Sequence, residues 1–262
     1  MSESTQAHCP LDLNTLRDSV CIHTNKITDA YRDKDCIEDL RVYLTKSSQN
    51  ALECATGARA RYAELLHVSV AVGAVPFHRG HYSVDLTYYY RILADALMGN
   101  ARPTPIFGLA VFSKRIVMFG GETAAKIFKS SPGSSCCAEA EPVSPDVILE
   151  AVDPMILSAK ITDACCCRCD AEPSGLPDSI FSCFDEELVL NCDGKRLYVT
   201  LGQFSIIRMQ RETQLHLPVF DYRLPTKEFH DNLPGNDESD PCEVFSQIEF
   251  PVDSFTAAGN QT

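Results

Sequence analysis

Tryptophan is absent from this chain of 262 residues, which removes one common anchor of interfaces and sugar-binding platforms and leaves nine Tyr and 13 Phe to supply aromatic surface. Cationic side chains are scarce: 23 Lys and Arg face 36 Asp and Glu, for a net charge of −13. That balance opposes a sequence-independent grip on a phosphate backbone or an anionic lipid surface, so neither nucleic acid nor membrane is expected as a partner. No stretch approaches ~18 consecutive apolar residues, and Met1 to Pro10 has neither the cationic start nor the apolar core of a signal peptide. Residence in the cytoplasm is the expectation. The G-x-S-x-G elbow, H-E-x-x-H, Walker A and G-x-G-x-x-G are all missing, and the seven His are scattered, so no base stands beside a Ser or Cys nucleophile. The chain is expected not to be an enzyme.

What is present points to β structure. Hydrophobic residues make up 45% and charged residues 23%, a globular composition. From Ala58 to Ala74, Tyr62, Leu66, Val68, Val70 and Val72 share one parity and Arg59, Arg61, His67 and Ser69 the other. From Tyr82 to Ile92 the alternation repeats, with Val84, Leu86, Tyr88 and Tyr90 on one side and Asp85, Thr87, Tyr89 and Arg91 on the other. Pro76, Arg79 and Gly80 supply a turn between them. Val68, Val70, Val72, Val84, Leu86, Tyr88, Leu197 and Val199 are expected in the core, with Arg59, Arg61, Asp85, Tyr89 and Arg91 outside. Two hairpins are expected: Phe107–Phe112 with Arg115–Phe119 around Ser113 and Lys114, and Leu188–Cys192 with Lys195–Leu201 around Asp193-Gly194. Pro10–Val20 and Asp35–Leu44 are the best helical candidates, although Val42-Tyr43-Leu44 suits a strand equally.

Lys26-Ile27-Thr28-Asp29-Ala30 recurs letter for letter as Lys160-Ile161-Thr162-Asp163-Ala164, Tyr90-Arg91-Ile92 is echoed by Tyr222-Arg223-Leu224, and Arg79 is echoed by Arg211. The matching order predicts a mostly all-β chain of two related β-sandwich-like modules in tandem, with the pentapeptides at equivalent strand entries. The expected divisions are 1–19, a tail or short helix; 20–129, the first module; 130–145, a Ser- and Pro-rich linker; 146–255, the second module; and 256–262, a disordered tail.

Thirteen cysteines, an odd number with uneven spacing, argue against a secreted disulfide framework and for mostly reduced thiols. Cys165, Cys166, Cys167 and Cys169 form the sharpest chemical cluster, and Cys166 and Cys169 have the spacing that lets two thiolates reach one zinc ion. Cys183 and Cys192, or Cys136 and Cys137, would have to complete the ligand set. A labile or intermolecular disulfide and inert thiols are the competing readings. Asp29, Asp33, Asp35, Glu38 and Asp39 lack the Gly of a calcium loop and are interleaved with Arg32, Lys34 and Arg41, so a solvated, ion-paired connection is expected there.

The run from Val20 to Tyr43, which includes Asp33-Lys34-Asp35-Cys36-Ile37-Glu38-Asp39-Leu40-Arg41, resembles the opening signature of a group of uncharacterised clostridial Firmicutes proteins. Pro76-Phe77-His78-Arg79-Gly80-His81-Tyr82 and Asp240-Pro241-Cys242-Glu243-Val244-Phe245 resemble the same group. The resemblance implies an anaerobic Gram-positive source and, through similarity in style to β-rich spore-envelope proteins, a structural role; it carries no activity. Two functions are expected from these features. The first is a non-enzymatic structural or self-associating protein, part of a cell or spore-envelope assembly, whose partner is a second copy of itself. The alternative is a zinc-binding or redox-sensing module using Cys165, Cys166, Cys167 and Cys169, with zinc as its cofactor.

Overall fold

The computed structural model describes residues 22–99, 102–122, 144–163, 175–191, 194–215, 228–229, 241–251 and 254–255. Among these, the strands are β1 (Ile22–Leu44), β2 (Gly57–Ala74), β3 (His81–Leu97), β4 (Thr104–Phe119), β5 (Asp146–Ala151), β6 (Met155–Asp163), β7 (Lys195–Leu215) and β8 (Glu228–Phe229). The helices are short: α1 (Lys46–Glu53), α2 (Asp178–Phe181) and α3 (Pro241–Ser246). The mostly-β expectation holds.

The strands form one sheet in the order β2-β3-β4-β1-β7-β5, antiparallel along that path. β5 and β6 lie end to end on one flank of β7, β5 against Ser205–Gln210 and β6 against Lys195–Gly202. They act as one strand bent at Val152-Asp153-Pro154, where Pro154 has no N–H to continue the ladder. The bend brings β6 beside β2, the opposite end of the sheet, and the sheet nearly closes on itself. Asp153 spans the seam: its carboxylate accepts hydrogen bonds from the Tyr62 hydroxyl at 3.2 Å and the Leu65 backbone N–H at 2.9 Å.

Alternation on β3, β4 and β7 sends one parity into the enclosed core, where Val84, Leu86, Tyr88, Tyr90 and Ile92 meet Ile106, Ile116, Met118, Leu197, Val199 and Ile207. Leu52 of α1 and neighbouring Ala55 also join this core. A second, smaller cluster lies on the outside, where Ile180 of α2 and Leu188 cover Tyr89 and Leu109. Tyr89 is therefore buried and not outward as its parity predicts, because a second layer lies over that face. Val70 also departs from expectation at 37% exposure, whereas Leu86 is fully buried. Val68 and Val72 pack against the core but are only half-buried, because β2 is an edge strand with β3 as its one paired neighbour among the described residues.

Three local expectations are corrected. Asp35–Leu44 is part of β1 and not a helix: a register shift between Ile37 and Leu40, with Asp39 at φ 49°, inserts a bulge that gives the apolar residues a helix-like spacing. Phe107–Phe119 is one continuous strand, because Ser113 and Lys114 pair straight across to Thr87 and Leu86. The segment before Asp193-Gly194 does not fold back on β7; Leu188 bridges Thr45, and the Val189 N–H donates to the Leu44 carbonyl at 2.8 Å.

The expected duplication is not shown. Lys26–Ala30 lies near the start of β1, whereas Lys160–Asp163 closes β6, and the two segments flank opposite ends of β7. Arg79 stands in a turn and its supposed counterpart Arg211 within a strand. β1 pairs with β7 along nearly all its length, so strands from both expected modules share one sheet. Pro10–Val20, Tyr222–Leu224 and most of the expected linker lie outside the described residues.

Candidate functional site

Two features stand out from the packed scaffold. The first is inside it. On β4 the inward parity runs through Ala110, Phe112, Lys114, Ile116 and Met118, so the same alternation that buries its apolar neighbours carries the Lys114 side chain into the core. On β1, Asp33 and Asp35 share one parity. The Lys114 ammonium contacts Oδ2 of both Asp33 and Asp35. The three side chains are 11%, 2% and 11% exposed, respectively.

Aromatic rings wall this trio. Tyr88 lies opposite Phe112 on the neighbouring strand, stacks with Tyr90 at 6.1 Å between ring centroids, and its hydroxyl is 3.3 Å from the Ser205 hydroxyl. Burial pulls the Lys114 ammonium downward, but the charges of Asp35 and Asp33 outweigh it and the net shift is upward. Burial pushes the Tyr88 phenol up to about 12, and Tyr90 rises further for the same reason. Two buried atoms of the cluster, Oδ1 of Asp33 and the hydroxyl of Tyr90, have no hydrogen-bond partner among the described residues.

A pH dependence follows. The unfolded chain releases the Tyr88 proton near its ordinary value of 10 and the folded chain near 12. The stabilisation from keeping this phenol neutral is complete below pH 10 and is lost as pH rises through 12, amounting to roughly 2–3 kcal/mol. Urea unfolding between pH 9 and pH 12, followed by circular dichroism, should show this decline, and Tyr88→Phe should make it shallower, the remainder belonging to Tyr90. An equally steep alkaline limb in the variant would contradict the assignment.

The second feature is on the rim. β2 pairs with β3 on one side, and β6 lies along only its first half, near Ala58–Ala63. From Leu66 to Ala74, the outer edge of β2 has no paired strand among the described residues. This stretch holds no Lys, Arg, Asp or Glu; the charge-free run extends from Leu65 to His78. Such open edges are normally guarded by charges, proline or a cover. On it Val70 is 37% exposed, and Phe77 in the turn that follows is fully exposed.

The cysteines divide. Cys165, Cys166, Cys167 and Cys169 lie outside the described residues, as do Cys136, Cys137 and Cys192. Cys54 and Cys183 are exposed free thiols. Cys36 and Cys242 form a disulfide with a Cα–Cα distance of 5.4 Å, which tethers α3 to β1. For this pair the expectation of reduced thiols is corrected: the fold carries the two cysteines together across 206 positions of sequence. Beside the bridge, Phe245 packs against Phe204 at 4.7 Å between centroids, and it sits where a Cβ on Gly202 would stand.

Reading the acidic segment as a solvated connection missed the buried trio. The available signal was parity: Lys114 stands two residues from Phe112 and Ile116, and Asp33 and Asp35 stand two apart in a chain that proves extended. Among the described residues no group of three or more His, Cys, Asp and Glu is arranged to hold a metal ion, and no helix is long and apolar enough to cross a membrane. Fold and site together define a nearly closed antiparallel sheet enclosing a Lys–Asp–Asp trio, with a charge-free edge on β2 that is open among the described residues. Comparison with family models, curated proteins and solved structures finds no match for this chain.

Proposed function

We propose that this chain is a non-enzymatic, self-associating structural protein whose copies join edge to edge through Leu66–Ala74 of β2. The observation that carries this reading is the charge-free edge, unpaired among the described residues, on a chain with a net charge of −13. Backbone N–H and C=O groups on an open edge are a template for another strand, and two identical edges meeting antiparallel make a two-fold contact. The exposed Phe77 and Val70 add apolar area to the same rim. The resemblance to clostridial proteins points to a cell or spore-envelope assembly as the setting. The Cys36–Cys242 bridge favours a working environment more oxidising than a reducing cytosol.

Repulsion between acidic copies is screened by salt, so association should strengthen as the Debye length falls from ~30 Å to ~8 Å. Sedimentation velocity of the full chain across that range tests the proposal. The wild type should grow in size with salt, and the double variant Ser69→Lys/Ala71→Lys, which places charge on two exposed positions of the edge, should stay monomeric with an unchanged circular dichroism spectrum. Replacing Cys165, Cys166, Cys167 and Cys169 with Ser should leave oligomer size unchanged in reducing buffer. A wild type that remains monomeric at high concentration across salt and redox conditions overturns the proposal. Stoichiometric zinc lost in the four-cysteine variant would instead favour the metal-binding reading.

A further inference from the structure

We propose that Lys114 and Asp33 become joined by an intramolecular isopeptide bond, with Asp35 as the group that moves the protons. The inference does not depend on the edge-to-edge reading. It starts from the unusual composition of the buried cluster: one amine and two carboxyls in direct contact, delivered by β4 and β1. They are walled by Tyr88, Phe112 and Tyr90.

In the core, burial disfavours the separated charges of an ammonium and a carboxylate relative to the neutral amine and acid. In water an ammonium and a carboxylate do not condense, because the ammonium has no free electron pair and bulk water favours hydrolysis. Enclosure changes both conditions. Charge separation loses its solvation relative to the neutral amine and acid, and the reacting atoms are already held in contact, which replaces a bimolecular encounter.

Asp33 is the electrophile by its surroundings. It is 1% exposed, its Oδ2 contacts the Lys114 nitrogen, and its Oδ1 is buried without a hydrogen-bond partner among the described residues. Asp35 also touches that nitrogen. The step balances without any further reagent. A proton passes from the Lys114 ammonium to the Asp33 carboxylate, leaving a neutral amine. The nitrogen electron pair attacks Cγ of Asp33 and the C–N bond forms. The Asp35 carboxylate takes a proton from the nitrogen and passes it to the departing hydroxyl as the Cγ–O bond breaks and water leaves. Ammonium and carboxylate have become amide and water, nothing is oxidised or reduced, and Asp35 returns to its starting state. The upward shift of Lys114 keeps the amine form scarce, which makes the reaction slow; a single event in the life of each molecule is enough.

The bond would tie β1 to β4 where their backbones are not paired, since that ladder holds only Val42–Leu44 against Gly108–Ala110. The test is the intact mass of the purified full chain after reduction and alkylation, with a peptide map. The expected mass is one water below the sequence mass, trypsin fails to cut at Lys114, and a branched peptide links Lys114 to Asp33. Lys114→Arg and Asp33→Ala should each restore the full sequence mass. Asp35→Asn should retain the fold by circular dichroism and form the bond at least tenfold more slowly. Full sequence mass in the wild type with normal cleavage at Lys114 overturns the proposal, and the wild-type map decides this even where a variant fails to fold. A branch mapped to another residue overturns the assignment of Asp33. Undiminished water loss in Asp35→Asn overturns the role of Asp35.

Discussion

Replacing Lys114 by Met is expected to lower the free energy of unfolding by about 3–5 kcal/mol, because it leaves Asp33 and Asp35 facing each other in the core without the ammonium between them. The size of the effect comes from leaving the buried Asp33 carboxylate without its cation more than from the lost attraction. Urea unfolding at neutral pH measures it, with tyrosine emission as the probe since the chain lacks tryptophan. The triple variant Lys114→Met/Asp33→Leu/Asp35→Leu should lie within about 1–2 kcal/mol of the wild type, because removing a whole buried ion cluster is commonly close to neutral. A cross-link at this site would enlarge the loss in the single variant and prevent the triple variant from recovering it. A loss below half a kcal/mol in Lys114→Met would mean that water reaches the cluster, and the enclosed-core assignment would fall.

Reducing the Cys36–Cys242 bridge is expected to lower stability by about 2–5 kcal/mol, because the bond closes a loop across 206 positions and restricts the unfolded chain accordingly. The loss should be concentrated at α3. Once the tether opens, Phe245, now 1% exposed, is held by its packing on Phe204 and the bare backbone of Gly202 and by Lys34, whose ammonium lies over its ring and donates to the Ser246 and Ile248 carbonyls. Unfolding curves with and without reductant test this, and Cys242→Ser should match the reduced wild type without any reductant. Identical curves for all three would show that the bridge contributes nothing to the folded state in solution.

Local pattern carried the reading furthest where one strand face meets one continuous core. β2 and β3 lie where the alternation from Ala58 to Ile92 places them, and Tyr88 and Tyr90 are buried as their parity requires. It failed where the period was broken or where the decisive neighbour is remote. The bulge at Glu38 and Asp39 shifts Leu40, Val42 and Leu44 out of phase with Ile37, and the resulting spacing imitates a helix. Ser113-Lys114 has the polarity of a turn, and nothing nearby in sequence shows that Lys114 will meet two aspartates some eighty positions away.

Strand periodicity, acidic balance and the charge-free stretch of β2 are properties of adjacent residues, so the linear chain determines them without reference to the rest of the molecule. Closure of the sheet, burial of the Lys114 trio and union of Cys36 with Cys242 are settled in three dimensions. Each depends on which distant strands pair: β1 with β7 sets the inward parity of Asp33 and Asp35, and β6 folding back toward β2 closes the sheet around the core they share. A charge two residues from an apolar neighbour is solvated on an open strand and buried in an enclosed one. The dielectric around it, and hence its chemistry, comes from strands that lie far from it in the sequence.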